Sequence, residues 1–222
     1  MEEERRQISL LKAAKWPFYI LILMWVLEIL KYLFGIQLVE YGILPRYISG
    51  LKGIITGPLI HGSFGHLANN SVPFLVGATT IIYFYQRIAV PVISLIWILT
   101  GILVWVFAKT AFHIGASGVV YGMISFIFWA GFFNRDRQSI VLSLIILFAY
   151  SGMFYGVLPN QPGVSWESHL LGGLVGILVA FLFRIPKEEE DPWDDDDDTP
   201  PRHFFREDTF QDYPTYWSNQ LR

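Results

Sequence analysis

Along this chain the apolar residues do not alternate with polar ones; they run on in long blocks separated by short polar breaks. Six such blocks cover approximately residues 16–34, 66–85, 88–108, 116–133, 140–158 and 166–183. A bilayer core of roughly 30 Å takes about 20 mostly apolar residues per helix, so each block reads as one crossing. The pattern predicts an all-α fold, a polytopic membrane protein with a six-transmembrane-helix bundle. The first block contains Glu28 and Lys31 and is not followed by a small-residue cleavage site, so it is expected to be a retained helix and not a signal peptide.

The breaks between blocks differ in length. Blocks two and three meet at Gln86 and Arg87, and blocks four and five at Asn134 to Ser139, which predicts adjacent antiparallel helices. Between the first two blocks lies a longer segment, Gly35 to Gly65, rich in Gly, Pro, Tyr and Leu. It is too long for a bare turn and too apolar to be well solvated, so it is expected to lie partly in the membrane interface. After Pro186 the character changes to acidic runs, Glu188 to Asp191 and Asp194 to Asp198, followed by Thr199-Pro-Pro201. Like charges in series repel, which predicts a disordered tail or a recruitment segment. The expected organisation is therefore an N-terminal cytoplasmic segment over 1–15, a membrane domain over 16–187 and an acidic cytoplasmic tail over 188–222.

Composition agrees with this division: of 222 residues, 53% are hydrophobic and 16% charged, too apolar a balance for one soluble core. There is no cysteine, which excludes disulfides and thiolate metal sites. Residues 1–187 hold thirteen Lys/Arg against seven Asp/Glu, whereas residues 188–222 hold three against twelve. Between blocks, Arg5, Arg6, Lys12, Lys15, Arg87, Arg135, Arg137, Arg184 and Lys187 fall on one side, and Arg46, Lys52 and Lys109 on the other. The positive-inside rule then predicts both termini in the cytoplasm, with even-numbered spans entering from outside.

Polar residues inside the blocks carry the candidate chemistry. Counting about 1.5 Å per residue from the cytoplasmic edge puts Asn70, Ser117 and His169 roughly 4, 6 and 8 Å below the outer boundary, one shallow layer on three different spans. An imidazole at that depth is costly unless it has a function or a partner, and a hydroxyl beside it suits a nucleophile with its general base. Alone, Ser117 would read as an interhelical hydrogen-bond donor. Small residues, Gly118 and Gly122 after Ser117 and Gly172 and Gly176 after His169, give each span a flat face for close packing. Tyr121 lies one turn below Ser117, where it can hold the imidazole or simply pack. His66 and Asn70, four residues apart, share a helix face and can supply donors to an oxyanion together with the Ser117 N–H. His61 and His113 fall in outer connections and read as structural.

Together these residues resemble the rhomboid family of intramembrane serine proteases over about residues 16–184. The resemblance rests on His61-Gly-Ser-Phe-Gly-His66-Leu-Ala-Asn-Asn70, on Gly115-Ala-Ser117-Gly118-Val-Val-Tyr121-Gly122 and on His169-x-x-Gly172-x-x-x-Gly176. It implies Ser117 as nucleophile, His169 as base, His66 and Asn70 at the oxyanion, Tyr121 stacked on the base, and a compact six-helix bundle with a water-filled cavity open to the outside. One departure stands out: the family often carries Trp-Arg in the first loop, where this chain has Leu51-Lys52, which puts that loop's usual anchoring in question.

The expected reaction is hydrolysis of a peptide bond in or near a substrate's transmembrane helix, close to the outer boundary, after local unwinding exposes the bond to water. The implied partners are the lipid bilayer and membrane proteins with a transmembrane helix, not nucleic acid. No metal and no organic cofactor is implied. A bacterial plasma membrane is the expected location. The rival readings are a non-catalytic membrane binder or chaperone of substrate helices, and a carrier using the histidines as a relay; the latter would favour inverted repeats or broken helices, and neither is evident.

Overall fold

The structure, a computed structural model, describes residues 8–159 and 165–184, with the side chain of Phe154 left out. The acidic tail expected over 188–222 lies outside the described residues. Six long helices stand where the apolar blocks predicted them: α1 Leu10–Phe34, α3 Phe64–Phe84, α4 Ala89–Phe107, α5 Ser117–Asn134, α6 Arg137–Tyr150 and α7 Trp166–Leu182. A four-residue helix, α2 (Gly53–Thr56), sits in the long first connection. No strand is present among the described residues, only an isolated antiparallel bridge between Ile43 and His113.

Local chemistry sets the helix ends. Ser9 caps α1 by accepting from the Lys12 N–H, so that helix begins earlier than its apolar block. Asp136 caps α6 through the Ser139 N–H at 2.9 Å. Helices α1, α3, α4 and α5 are long and apolar enough to cross a membrane; α6 and α7 are apolar but shorter. The fifth block was expected to be helical to residue 158. Instead α6 stops at Tyr150 and the chain tightens into a 3₁₀ segment, Ser151–Val157. The tighter winding brings backbone carbonyls of that segment against side chains of α5 and α7, as described below.

Helix α5 is the centre of the bundle, packed against α3, α4, α6 and α7, with α7 its most extensive neighbour. Glycine makes this seam possible. A Cβ on Gly172 would collide with the Gly118 carbonyl, and one on Gly176 with the Gly122 carbonyl. Ser125 Oγ donates to the Gly173 carbonyl at 2.7 Å and fastens the inner part of the seam. The bundle exposes Leu, Ile, Val and Phe over its outer faces, as an integral membrane protein in contact with lipid must.

The first connection is anchored without a Trp-Arg pair. Arg46 donates to the carbonyls of Ala108 (2.7 Å) and Val106 (3.3 Å) and to Thr110 Oγ1 (2.6 Å), capping the end of α4. Trp105 Nε1 donates to the Tyr47 carbonyl at 2.9 Å. Lys52 lies over the Tyr41 ring, 4.5 Å from its centroid. The guanidinium is thus supplied by Arg46, earlier in the loop than the motif position.

Candidate active site

Three helices deliver polar side chains to one cavity of about 770 Å³, lined by His66, Asn70, His113, Ser117, Tyr121, Gly156 and His169 among others. Ser117 opens α5 and is half-buried on its wall. His169 lies in the first turn of α7, 7% exposed. Across the seam between them, a Cβ on Gly118 would lie 3.2 Å from the Ser168 carbonyl, so the residue after Ser117 abuts the residue before His169. The hydroxyl of Ser117 has no hydrogen-bond partner among the described residues.

The imidazole of His169 is held on two sides. Its Nδ1 donates to the Gly156 carbonyl at 2.8 Å. A carbonyl can only accept, so the proton of the neutral ring is on Nδ1 and Nε2 keeps its lone pair. Tyr121 stacks on the ring, centroids 4.1 Å apart and planes within 7°, and its own hydroxyl donates to the Met153 carbonyl at 2.6 Å. Both carbonyls belong to the 3₁₀ segment after α6. Gly156 has to be glycine for this: a Cβ there would strike the Tyr121 hydroxyl and stand 3.1 Å from His169 Nδ1.

On the facing side, Ser63 caps α3 by accepting from the His66 N–H at 3.1 Å, which sets the helix face that carries His66 and Asn70. His66 Nδ1 accepts from the Gly62 N–H at 3.5 Å, leaving Nε2 as the protonated nitrogen of the neutral ring. Asn70 is buried, and its Nδ2 has no hydrogen-bond partner among the described residues. A buried, unused amide donor is costly unless something is to be bound there. Both groups face Gly115, whose Cα approaches so closely that a Cβ would lie 2.8 Å from His66 Nε2 and 3.7 Å from Asn70 Nδ2. Gly115 also has φ +107°, a backbone conformation that a side chain would strain.

Behind this layer, the connections hold the start of α5. His61 Nε2 accepts from the Ala116 N–H at 3.3 Å, directly before Ser117. Its carbonyl is bound by Lys31 Nζ at 2.6 Å, and Lys31 pairs with buried Glu28 at 2.8 Å. Burial, reinforced by the neighbouring His66, holds the His61 imidazole down at about 3, so it is neutral under ordinary conditions. The sequence marked Glu28 and Lys31 only as charges within an apolar block; the contact of Lys31 with a histidine 30 positions away left no trace in the pattern.

A second cavity, about 480 Å³, runs between α5, α6 and α7 and is lined almost wholly by apolar residues. It shares Tyr121, Met153 and His169 with the polar cavity. Of the residues singled out in the sequence, Ser117, His66, Asn70, Tyr121 and His169 therefore reach one space, while Gly118, Gly122, Gly172 and Gly176 form the seam beneath it. The Gly156 and Met153 carbonyls were not foreseen. Backbone atoms carry no residue-type signal, and the nearest hint is the glycine at 156 inside an apolar block.

Comparison with known proteins gives a consistent placement. The family profile described as Rhomboid domain matches residues 49–186. An uncharacterized protein of Mycobacterium bovis and one of Mycobacterium tuberculosis are each 34% identical over 176 residues, covering 75% of this chain and 73% of the relative. An uncharacterized protein of Mycobacterium leprae is 31% identical over 176 residues, covering 75% of this chain and 70% of the relative. The matched span takes in the residues that line the polar cavity and those of the glycine seam, and the chain belongs to the rhomboid family.

Proposed function

We propose that this rhomboid-family membrane protein is a serine endopeptidase that cuts transmembrane substrates with a Ser117/His169 dyad. The observation that carries the reading is the Nδ1–H bond from His169 to the Gly156 carbonyl, which leaves Nε2 free to accept a proton in the cavity that Ser117 lines. His169 Nε2 takes the Ser117 proton as Oγ attacks the scissile carbonyl carbon. The carbonyl oxygen, now negative, receives hydrogen bonds from Asn70 Nδ2, His66 Nε2 and the Ser117 N–H. The imidazolium then gives its proton to the leaving amine, and a water, deprotonated in turn by His169, releases the acyl group and restores Ser117.

Such a reaction needs water and an unwound substrate. The polar cavity supplies the first, and the apolar space beside α6 and α7, which shares a wall of Tyr121, Met153 and His169 with it, offers a flank for apolar side chains of a substrate segment that has left its helix. In this reading both termini face the cytoplasm, by the distribution of Lys and Arg, and cleavage falls near the outer boundary. The mycobacterial relatives favour a bacterial plasma membrane.

The test is proteolysis by the purified protein in liposomes with a single-pass membrane substrate. Cleavage is expected from the wild type and lost on Ser117→Ala and on His169→Ala. Undiminished cleavage by Ser117→Ala would refute the dyad, and binding of substrate without cleavage by the wild type would favour a chaperone of membrane helices.

A further inference from the structure

We propose that His113 is a positioning residue of the dyad, fastening the loop that leads into Ser117 to the first turn of the helix that carries His169. The inference rests on the dyad reading above. His113 stands four residues before Ser117, and its backbone is pinned: its N–H donates to the Ile43 carbonyl at 2.8 Å and its carbonyl accepts from the Ile43 N–H at 2.9 Å. From that fixed base the ring reaches Ser165 Oγ at 2.6 Å, across 52 residues of chain.

The direction of each bond follows from its partners. Nε2 lies 2.9 Å from the Lys109 carbonyl, which can only accept, so Nε2 carries the proton. The neutral ring then presents a lone pair at Nδ1, and the Ser165 hydroxyl donates into it. Ser165 in turn is free to accept from the Ser168 hydroxyl at 2.7 Å and from the Ser168 N–H at 3.4 Å, the bond that caps α7. Its carbonyl also receives the His169 N–H at 3.3 Å. One ring thus connects the approach to Ser117 with the residue that caps α7 and holds the His169 backbone.

The seam needs such a fastener. Apposed glycine faces set how near α5 and α7 come, but they are smooth and resist sliding weakly, whereas a hydrogen bond fixes register. Ser125 to Gly173 serves the inner part of the seam, and His113 to Ser165 is its counterpart at the cavity end. Burial keeps the His113 ring below its ordinary titration range, with Lys109 acting in the same direction, against the Lys109 carbonyl bond and Glu167 on α7, which act oppositely. The neutral, accepting form is therefore the one present at neutral pH.

The experiment measures the rate at which a fluorophosphonate probe labels Ser117 in the full chain in detergent, normalised to the folded fraction from thermal unfolding. It compares wild type with His113→Phe, His113→Asn, Ser165→Ala and the His113→Phe/Ser165→Ala double variant. Misplacing a reacting group by about 1 Å can cost on the order of 100-fold, so His113→Phe and Ser165→Ala should each slow labelling by about tenfold or more. The double variant should lose clearly less than the product of the two single losses, because the His113–Ser165 bond is common to both, while each single variant also gives up bonds of its own, His113 to Lys109 and Ser165 to Ser168. His113→Asn, whose Oδ1 can accept from Ser165, should recover most of the rate, and with a peptide substrate the loss should fall on kcat and leave KM in place.

Labelling of His113→Phe at the wild-type rate, or equal losses in His113→Phe and His113→Asn, overturns the inference. Failure of the probe to label Ser117 in the wild type would overturn the dyad reading itself, and the role of His113 with it.

Discussion

Gly156 and His169 meet through a 2.8 Å hydrogen bond in which the ring Nδ1–H donates to a backbone carbonyl. In a catalytic triad a carboxylate would take that hydrogen-bond-accepting place and stabilise the imidazolium by charge. Here a carbonyl dipole occupies that place, with the face of Tyr121 stacked on the ring. The carbonyl fixes tautomer and orientation, and the glycine that bears it is the one residue type whose backbone can come so close.

Replacing Gly156 by Val should therefore disable the site without unfolding the bundle. A side chain there meets the Tyr121 hydroxyl and crowds His169 Nδ1, so the stacked pair must move. Displacement of a reacting group on the ångström scale costs on the order of 100-fold in rate. The expected result is a fall of that size in fluorophosphonate labelling of Ser117, with an unfolding midpoint close to the wild type.

Asn70→Ala tests the opposite wall. Its buried amide has no partner among the described residues, and a donor held ready for an oxyanion contributes only once charge develops. Loss of one such donor typically lowers kcat by about 10²–10³-fold. Steady-state cleavage of a fluorogenic membrane substrate should show that drop in kcat with KM nearly unchanged. A rise in KM alone would make Asn70 a substrate-binding group instead.

That Asn70, Ser117 and His169 line one cavity was readable in the chain because histidine within an apolar block is rare enough to stand out, and helical counting put the three residues in one layer. The glycine seam was readable for the same reason, as four-residue spacing predicts a face. What escaped was whatever depends on backbone atoms or on distant pairing. The 3₁₀ segment over Ser151–Val157 still carries Met153, Tyr155 and Val157, so the apolar block runs on through it, and only the glycines at 152 and 156 mark where α6 gives way. The anchoring of the first connection by Arg46 was equally hidden: the doubt raised by Leu51-Lys52 assumed that the guanidinium must sit at one sequence position, whereas the carbonyls at the end of α4 accept it from another. His113 and Ser165 lie in connections with no periodicity at all, and only the fold brings them together.

The seam between α5 and α7 makes a paired prediction at adjacent glycines. Gly172→Ala places a methyl group against the Gly118 carbonyl, while Gly173→Ala meets nothing within 4 Å. Overpacking a close contact costs about 1–3 kcal/mol. Removing an unneeded helical glycine stabilises by roughly 0.5–1 kcal/mol in water-exposed helices, so Gly173→Ala should be neutral or mildly favourable. Unfolding in mixed micelles by increasing SDS should place Gly172→Ala below the wild type and Gly173→Ala at or above it; equal midpoints for the two variants would mean that the seam is looser than the close approach of its backbones implies.

Acid should weaken the fold through His61. Its ring accepts the Ala116 N–H and is buried, and that burial, with His66 beside it, lowers its pKa from 6.5 to about 3. An unfolded chain binds this proton near pH 6.5, whereas the folded one resists it until about pH 3. The contribution of neutral His61 to stability is therefore complete above about pH 6.5 and is lost progressively as the pH falls toward 3. His113, also lowered by burial, acts with the same sign. Thermal unfolding of the wild type in detergent should show a midpoint that declines between neutral pH and mild acid. His61→Gln, which has no proton to take up, should start from a lower midpoint and decline less steeply. Parallel slopes for the two proteins would remove His61 from the acid response and with it the claim that its ring is held neutral by the fold.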